Sequence, residues 1–306
     1  TRAVCINRPG IEQIILGDGE GDNMVQAHIG FGNGTWHSHR DTLGFQLWAQ
    51  GHYLIDDINY PKHRLRDAYS SSVHHNTVTV DAKGHATNMG DGDVVLYEPN
   101  LPGFAVVKVD APRAYLGDTD VYARQLMLVT TDPQRPYVVD IFRVKGGKVK
   151  DYMLLSSTRN KTKASYDLPL TKMPGEAPLK SYGKYYEAFT KMSRGDGSKN
   201  FSVTYELTDP EPYPAPPEGA TPQTVGTKHH FIGGNGTTVF KTQIPSNSSL
   251  FEGGHEKYSE FPEQWPFTIV RHEGVTRKLR EQRHLRIESP EGTRRVRNAL
   301  GQRRIG

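Results

Sequence analysis

The chain of 306 residues has a single cysteine, Cys5, so no disulfide within the chain can staple the fold, and the redox character of its compartment stays open. Long apolar runs are also missing. No stretch approaches the roughly 20 residues that a membrane span requires, which excludes a spanning helix. The opening TRAVCINRPG has neither an initiator Met nor an apolar signal-like stretch and reads as processed or truncated. No repeat of fixed period occurs, and no glycine-rich loop leads from a strand into a helix, so a phosphate cradle is not expected; GDGEGD at 17–22 is a turn. Between 25 and 150 no segment keeps a three-to-four spacing of apolar residues over eleven or more positions, so helix content should be small.

What is present points to β-structure. With 35% hydrophobic residues, 15 Tyr and 11 Phe, the chain can fill a core, and 31 Gly and 20 Pro supply the turns that many short strands need. The runs LGFQLWAQG, HYLIDD, NTVTVD, FAVVKVD, RQLMLVTT and YVVDIFRV each read as a strand, and NFSVTYELT, HHFIGG, TTVFKTQI and PFTIVRHE resume the pattern later. The expected fold is all-β: one large antiparallel β-sandwich domain over 1–274, with its motif-bearing core at 25–157. Two Pro/Gly-rich and charged stretches, 172–199 and 209–224, are predicted as surface insertions. Residues 277–306 hold ten Lys/Arg against three Asp/Glu, more than the whole formal charge of +4, so the basicity belongs to a C-terminal tail at 275–306. That tail reads as a solvated face, and a nucleic-acid partner is not expected from charge alone. Five Asn-x-Ser/Thr sequons (Asn33, Asn160, Asn200, Asn235 and Asn247) are expected to be fortuitous.

The chemistry concentrates in three windows. If residues 34–51, GTWHSHRDTLGFQLWAQG, are a strand, its period of two puts His37, His39 and Asp41 on one face. Two imidazoles spaced that way can reach one metal ion, but among thirteen histidines such a pair alone is more often a surface feature. Asp56, closing HYLIDD, and His75, in SSVHHNTVTVD, add ligand-type groups at strand ends, where a turn cap or a hydrogen-bonded polar neighbour is the ordinary role. Together they describe a two-histidine, one-carboxylate site.

The ordered triple H-x-H-x-D-x-L-x-F, then G-x-x-L-[IV]-D, then H-N-T-V-x-V-D resembles the C-terminal β-sandwich of heparinase II/III-like polysaccharide lyases, a group that includes oligoalginate lyases. The likeness runs through residues 34–81 and more loosely to about 157. It implies that His39, Asp56 and His75 bind zinc, with the adjacent Asp57 second choice because it falls where the family usually has Pro. It also gives His37 a substrate-facing catalytic role and makes Tyr69 a candidate proton carrier, although its spacing to the third motif is one residue shorter than in the family. His85 stands where the family often has Gln. Arg40, Arg124 and Asn76 are candidate partners for the carboxylate or sulfate of a sugar.

The implied activity is β-elimination on an acidic polysaccharide, alginate-like or glycosaminoglycan-like, by a periplasmic or secreted enzyme, with oligomers open. Lyases of this type carry an N-terminal (α/α) toroid that supplies an Asn or His and a Tyr, and no such domain is read in this sequence, so the toroid counts as a missing partner. That departure keeps a second reading in play, a non-catalytic module that binds acidic carbohydrate. A metal-dependent hydrolase or cupin-like oxygenase could use the same ligands and is the third.

Overall fold

The computed structural model of the chain describes residues 2–32, 39–58, 66–86, 91–133, 135–208, 225–246 and 262–274. Thr1–Val275 form one compact unit. His37, the expected insertion at 209–224 and the basic stretch 275–306 lie outside the described residues.

Five strands open the chain as a meander: β1 (Ile6–Arg8), β2 (Gln13–Asp18), β3 (Val25–Gly30), β4 (Phe45–Ala49) and β5 (His52–Ile55), each antiparallel to the next. In β3 the alternation is plain, with Val25, Ala27 and Ile29 buried and the residues between them half-buried. Successive side chains of an extended chain face opposite ways, so this sheet buries one face. The β4–β5 turn places Gln50 and Gly51 at φ 54° and 77°, the left-handed pair that a tight hairpin requires.

A four-residue helix, α1 (Arg66–Tyr69), is the only α-helix among the described residues. After the short β6 (Val78–Val80) comes a second meander, β7 (Asp93–Leu101), β8 (Phe104–Asp110), β9 (Thr119–Val129) and β10 (Tyr137–Gly146), again antiparallel throughout. The rest of the chain is β11 (Val149–Leu155), β12 (Thr162–Tyr166), β13 (Thr171–Lys172), β14 (Thr190–Asp196), β15 (Phe201–Leu207), β16 (Gly226–Phe231), β17 (Thr237–Pro245) and β18 (Gln264–Glu273). These strands, with β6, make a six-stranded sheet in the order β13-β14-β17-β18-β11-β6 and a three-stranded sheet β12-β15-β16.

Two apolar clusters hold the layers together. One gathers Ile14, Leu16 and Ile29 from the first meander with Val107, Val109 and Leu126 from the second and Val203 from β15. The other gathers Met153, Leu155, Phe267 and Ile269 with Trp265, Tyr69, Tyr186 and Phe189. Each buried aliphatic or aromatic side chain contributes about 1.5–3 kcal/mol, so these faces are the main source of stability.

The all-β expectation agrees with the structure, and most of the expected strands are present. Two expectations fail. Residues 34–51 are not one strand, because Asp41–Gly44 form a turn: the Gly44 amide donates to the Asp41 carbonyl at 2.6 Å and Leu43 sits at φ 64°, so β4 begins only at Phe45. The segment 172–199 is not wholly a surface excursion. It buries Leu179, Tyr186, Phe189 and Met192 and contributes β14, these core residues being hidden among Gly, Lys and Ser.

Candidate metal centre

The candidate site forms where β5 ends, where the segment ahead of β6 passes and where the chain leaves β11. Asn76 sets these three against one another. Its side-chain amide donates to the Asp56 carbonyl at 2.8 Å, and its side-chain oxygen accepts from the Leu155 amide at 2.7 Å. Its own carbonyl accepts from the Phe45 amide at 3.2 Å and from Arg124 at 2.6 Å. Buried and used on all sides, Asn76 is a clamp between strands and not the sugar contact expected from the sequence.

Arg124 is likewise corrected from substrate contact to interior brace. Its side chain is 0% exposed, its Nε and Nη2 grip Asp140 at 2.9 and 2.7 Å, Nη1 donates to the Leu43 and Asn76 carbonyls, and Nη2 also reaches the Tyr152 hydroxyl at 3.2 Å. A guanidinium has five N–H donors, and here all five have protein acceptors. Arg40 joins the segment before β4 to α1, donating to the Asp67 carboxylate at 3.1 Å and to the Asp67 and Ser70 carbonyls.

Beside this frame lie His39, Asp57 and His75, whose ligand atoms are all within 4.8 Å of one another. His39 Nδ1 stands 3.3 Å from Asp57 Oδ2, His75 Nδ1 contacts Asp57 Oδ1, and the two imidazole centroids are 4.6 Å apart. His75 Nε2 donates to the Tyr69 carbonyl at 2.7 Å. That bond orients the ring and turns Nδ1 toward the cluster, which is the usual way a second hydrogen bond positions a ligating histidine. Helix α1 thus serves through its backbone: the Ala68 carbonyl holds His74 Nδ1 at 3.0 Å and the Tyr69 carbonyl holds His75.

Electrostatics bind the three side chains of the cluster to one another. Burial alone would lower the His75 pKa, but the charge and hydrogen bond of Asp57, helped by Asp41, lift it to about 9. Burial would raise Asp57, yet His75 and His39 hold its carboxyl well below the usual range. Asp41, pushed up by burial and further by the Asp57 charge, looks onto the same cluster. Two imidazole nitrogens and a carboxylate converging from three separate segments are a donor set suited to zinc, so the residues present fit a metal.

The structure brings Asp57, and not Asp56, to the two histidines. Asp56 faces the other way: Oδ2 accepts from the Thr158 hydroxyl at 2.6 Å and Arg159 Nε at 3.1 Å, while Oδ1 accepts from the Asp57 amide at 2.9 Å. Adjacent residues at a strand end point in opposite directions, so one residue of register decides which carboxylate meets the histidines. The doublet Asp56-Asp57 was the available signal, and only the structure separates its members. Tyr69 does not reach the cluster with its hydroxyl, which is buried, donates to the Pro245 carbonyl at 2.6 Å and is shifted upward in pKa by burial. His85, too, is buried, its Nε2 2.8 Å from the Tyr122 hydroxyl. The sequence reading missed Arg159 altogether. It follows β11, lies 4.1 Å from the Tyr53 ring centroid and is 55% exposed.

Comparison with known proteins agrees with this architecture. The profile described as heparinase II/III-like, C-terminal, matches residues 24–164, which contain the whole cluster. Among solved structures, a mutant of the heparan sulfate lyase HepC from Pedobacter heparinus is similar with a TM-score of 0.53 at 10% identity, over 89% of this chain and 34% of that one. HepC itself gives 0.50 at 10% identity, over 86% of this chain and 33% of that one. At such identity the likeness is one of fold, and the chain spans about a third of the length of those enzymes. No curated protein matches the sequence. No helix among the described residues is long and apolar enough to cross a membrane. Fold and matched segment point the same way: residues 24–164 match the heparinase II/III-like C-terminal domain, and the chain shares the fold of those lyases over its β-rich part.

Proposed function

We propose that the chain is the β-sandwich part of a polysaccharide lyase that cleaves a uronic-acid-containing polymer by β-elimination, with zinc held by His39, Asp57 and His75. The observation that carries this reading is the convergence of those three side chains, from three separate segments, inside the matched segment. His39, Asp57 and His75 would hold a metal ion there, whose fixed positive charge would tie the end of β5 to the segment before β6.

In the reaction a base removes the weakly acidic proton beside the substrate carboxylate, and the electron pair forms a carbon–carbon double bond as the glycosidic C–O bond breaks. An acid then protonates the leaving oxygen. No water is consumed, so the metal has none to activate. His37, two residues ahead of the ligand His39 and outside the described residues, is our candidate for proton transfer. Tyr69 is not, because its hydroxyl is occupied in the core. The remaining groups on the substrate would come from a helical domain, on the same polypeptide or on a partner, and the enzyme would work in the periplasm or outside the cell.

The test is incubation of the protein, in the form in which it occurs in its cell, with a panel of alginates and glycosaminoglycans. The expected result is an ultraviolet-absorbing unsaturated product, lost in His37→Ala. A non-catalytic module that binds acidic carbohydrate is the second reading. Binding to the panel without any unsaturated product would establish it in place of the lyase.

A further inference from the structure

Three arginines show two ways of building a guanidinium into this fold. Arg124 and Arg271 lie in the interior, at 0% and 1% exposure, each gripping one carboxylate with two nitrogens: Asp140 at 2.9 and 2.7 Å, Asp151 at 2.7 and 2.8 Å. In each the bidentate grip neutralises a buried charge, with every donor of Arg124 used and Arg271 Nη1 left 3.8 Å from the Glu273 carboxylate. Arg159 is held differently. Only Nε engages a carboxylate, Asp56 at 3.1 Å, and the four terminal N–H groups have no acceptor among the described residues. The side chain is 55% exposed, yet it does not wave freely, because the Tyr53 ring lies under it at 4.1 Å.

Each part of that mounting has a consequence. The aromatic face and the Nε bond fix the plane of the guanidinium, so little side-chain entropy remains to be lost when a second anion docks on its outer edge. Asp56 is itself secured by the Thr158 hydroxyl and the Asp57 amide, and its burial makes it a rigid post. Thr158 is pinned in turn, its carbonyl accepting from the Trp265 indole at 3.0 Å. Asp57, the residue after that post, belongs to the cluster with His39 and His75, so Arg159 is anchored to the same short segment that carries the candidate centre.

We propose that Arg159, on its Tyr53 and Asp56 mounting, is a specificity-determining subsite for an anionic substituent, a carboxylate or a sulfate, of the sugar chain bound at the metal-bearing cleft. A planar fork with two parallel N–H groups pairs with either anion in bidentate fashion, which a lysine in the same place could not do. The subsite rests on the reading of this domain as part of a polyuronate lyase, and it adds a residue that recognises charge on the polymer without taking part in proton transfer.

Calorimetric titration of the full chain with three probes tests it: an unsulfated mannuronate tetrasaccharide, a sulfated heparan-type tetrasaccharide and a carboxyl-reduced neutral tetrasaccharide. Wild type should bind at least one acidic probe more tightly than the neutral one. Arg159→Gln should shrink that preference about tenfold, equivalent to about 1.4 kcal/mol, with metal content unchanged. Arg159→Lys should recover part of it. Loss confined to the sulfated probe identifies a sulfate, and loss with both acidic probes a carboxylate. Tyr53→Leu removes the shelf without leaving Asp56 unpaired, should shrink the preference by a smaller factor, and decides the matter if Arg159→Gln does not fold. An unchanged preference in the folded variants overturns the subsite and leaves the lyase reading standing. Failure of wild type to bind either acidic probe overturns both.

Discussion

The Arg124 and His39–Asp57–His75 clusters sit close together in the same frame, Asn76 touching the first and directly following the last residue of the second, yet they are built on opposite principles. Around Arg124 every donor meets an acceptor, with Asp140 neutralising the charge and Tyr152 bridging the two. Around Asp57 two imidazole nitrogens and the carboxylate oxygens converge on one another. A closed set of donors and acceptors is the mark of a structural centre, whereas convergent ligand-type atoms suit a cation that displaces the imidazole protons, and this difference separates the brace from the candidate site. Both clusters contain residues that a sequence reading ranks as functional.

The comparison can be broken most severely at the brace. Arg124→Met leaves Asp140 half-buried without its counter-ion and should cost about 3–5 kcal/mol in urea unfolding, the range for breaking a buried pair. A loss below 1 kcal/mol would mean that Arg124 is not the interior brace described. Asp56→Asn should be milder, on the order of 1–3 kcal/mol, because Thr158 and the Asp57 amide can still bond to the new side chain. Metal content should be unaffected, and metal lost from folded Asp56→Asn would restore Asp56 as the ligand.

Acid titration sharpens the contrast further. His28, His85 and His229 are held neutral by burial, their pKa values pushed down to about 4, 3 and 4, with the nearby Arg8 adding to the effect at His28 and His75 and Arg40 at His85. Their folded values lie below the unfolded one, so the unfolded chain takes up protons first and stability falls as pH drops through about 6.5 toward 4. Unfolding free energies at pH 7 and pH 5 should differ by on the order of 1 kcal/mol per histidine. Substituting His229 by Gln should flatten the slope, and an unchanged slope would show that this histidine is not buried neutral. The smallest effect is expected from Tyr69→Phe, about 1 kcal/mol for the bond to the Pro245 carbonyl, with lyase activity retained. Abolished activity in a folded Tyr69→Phe protein would return the tyrosine to the reaction.

Much of this architecture was legible in the sequence. FAVVKVD coincides with β8 and TTVFKTQI falls within β17, because alternating and β-branched runs closed by turn residues carry their own period. The family resemblance located two of the three clustered side chains, His39 and His75, and the doublet that holds the third. What could not be read was orientation. Asp56 and Asp57 differ by one residue at a strand end, and nothing in their spacing says which faces the histidines. Tyr69, Asn76 and Arg124 lie in or beside the right motifs, but their roles depend on partners 176, 79 and 81 residues away, such as Pro245, Leu155 and Leu43. Arg159 stood outside every motif, and only its stacking on Tyr53 marks it.

The central claim is that Asp57 joins His39 and His75 as a metal ligand while Asp56 does not. Its most direct test is elemental analysis of wild type, Asp57→Ala and Asp56→Ala after chelator treatment and reloading with zinc, with circular dichroism to confirm folding. Stoichiometric zinc in wild type and Asp56→Ala, with at least a tenfold weaker hold in Asp57→Ala, is the expected result. Zinc retained by Asp57→Ala and lost from Asp56→Ala, or absent from wild type, would contradict the account.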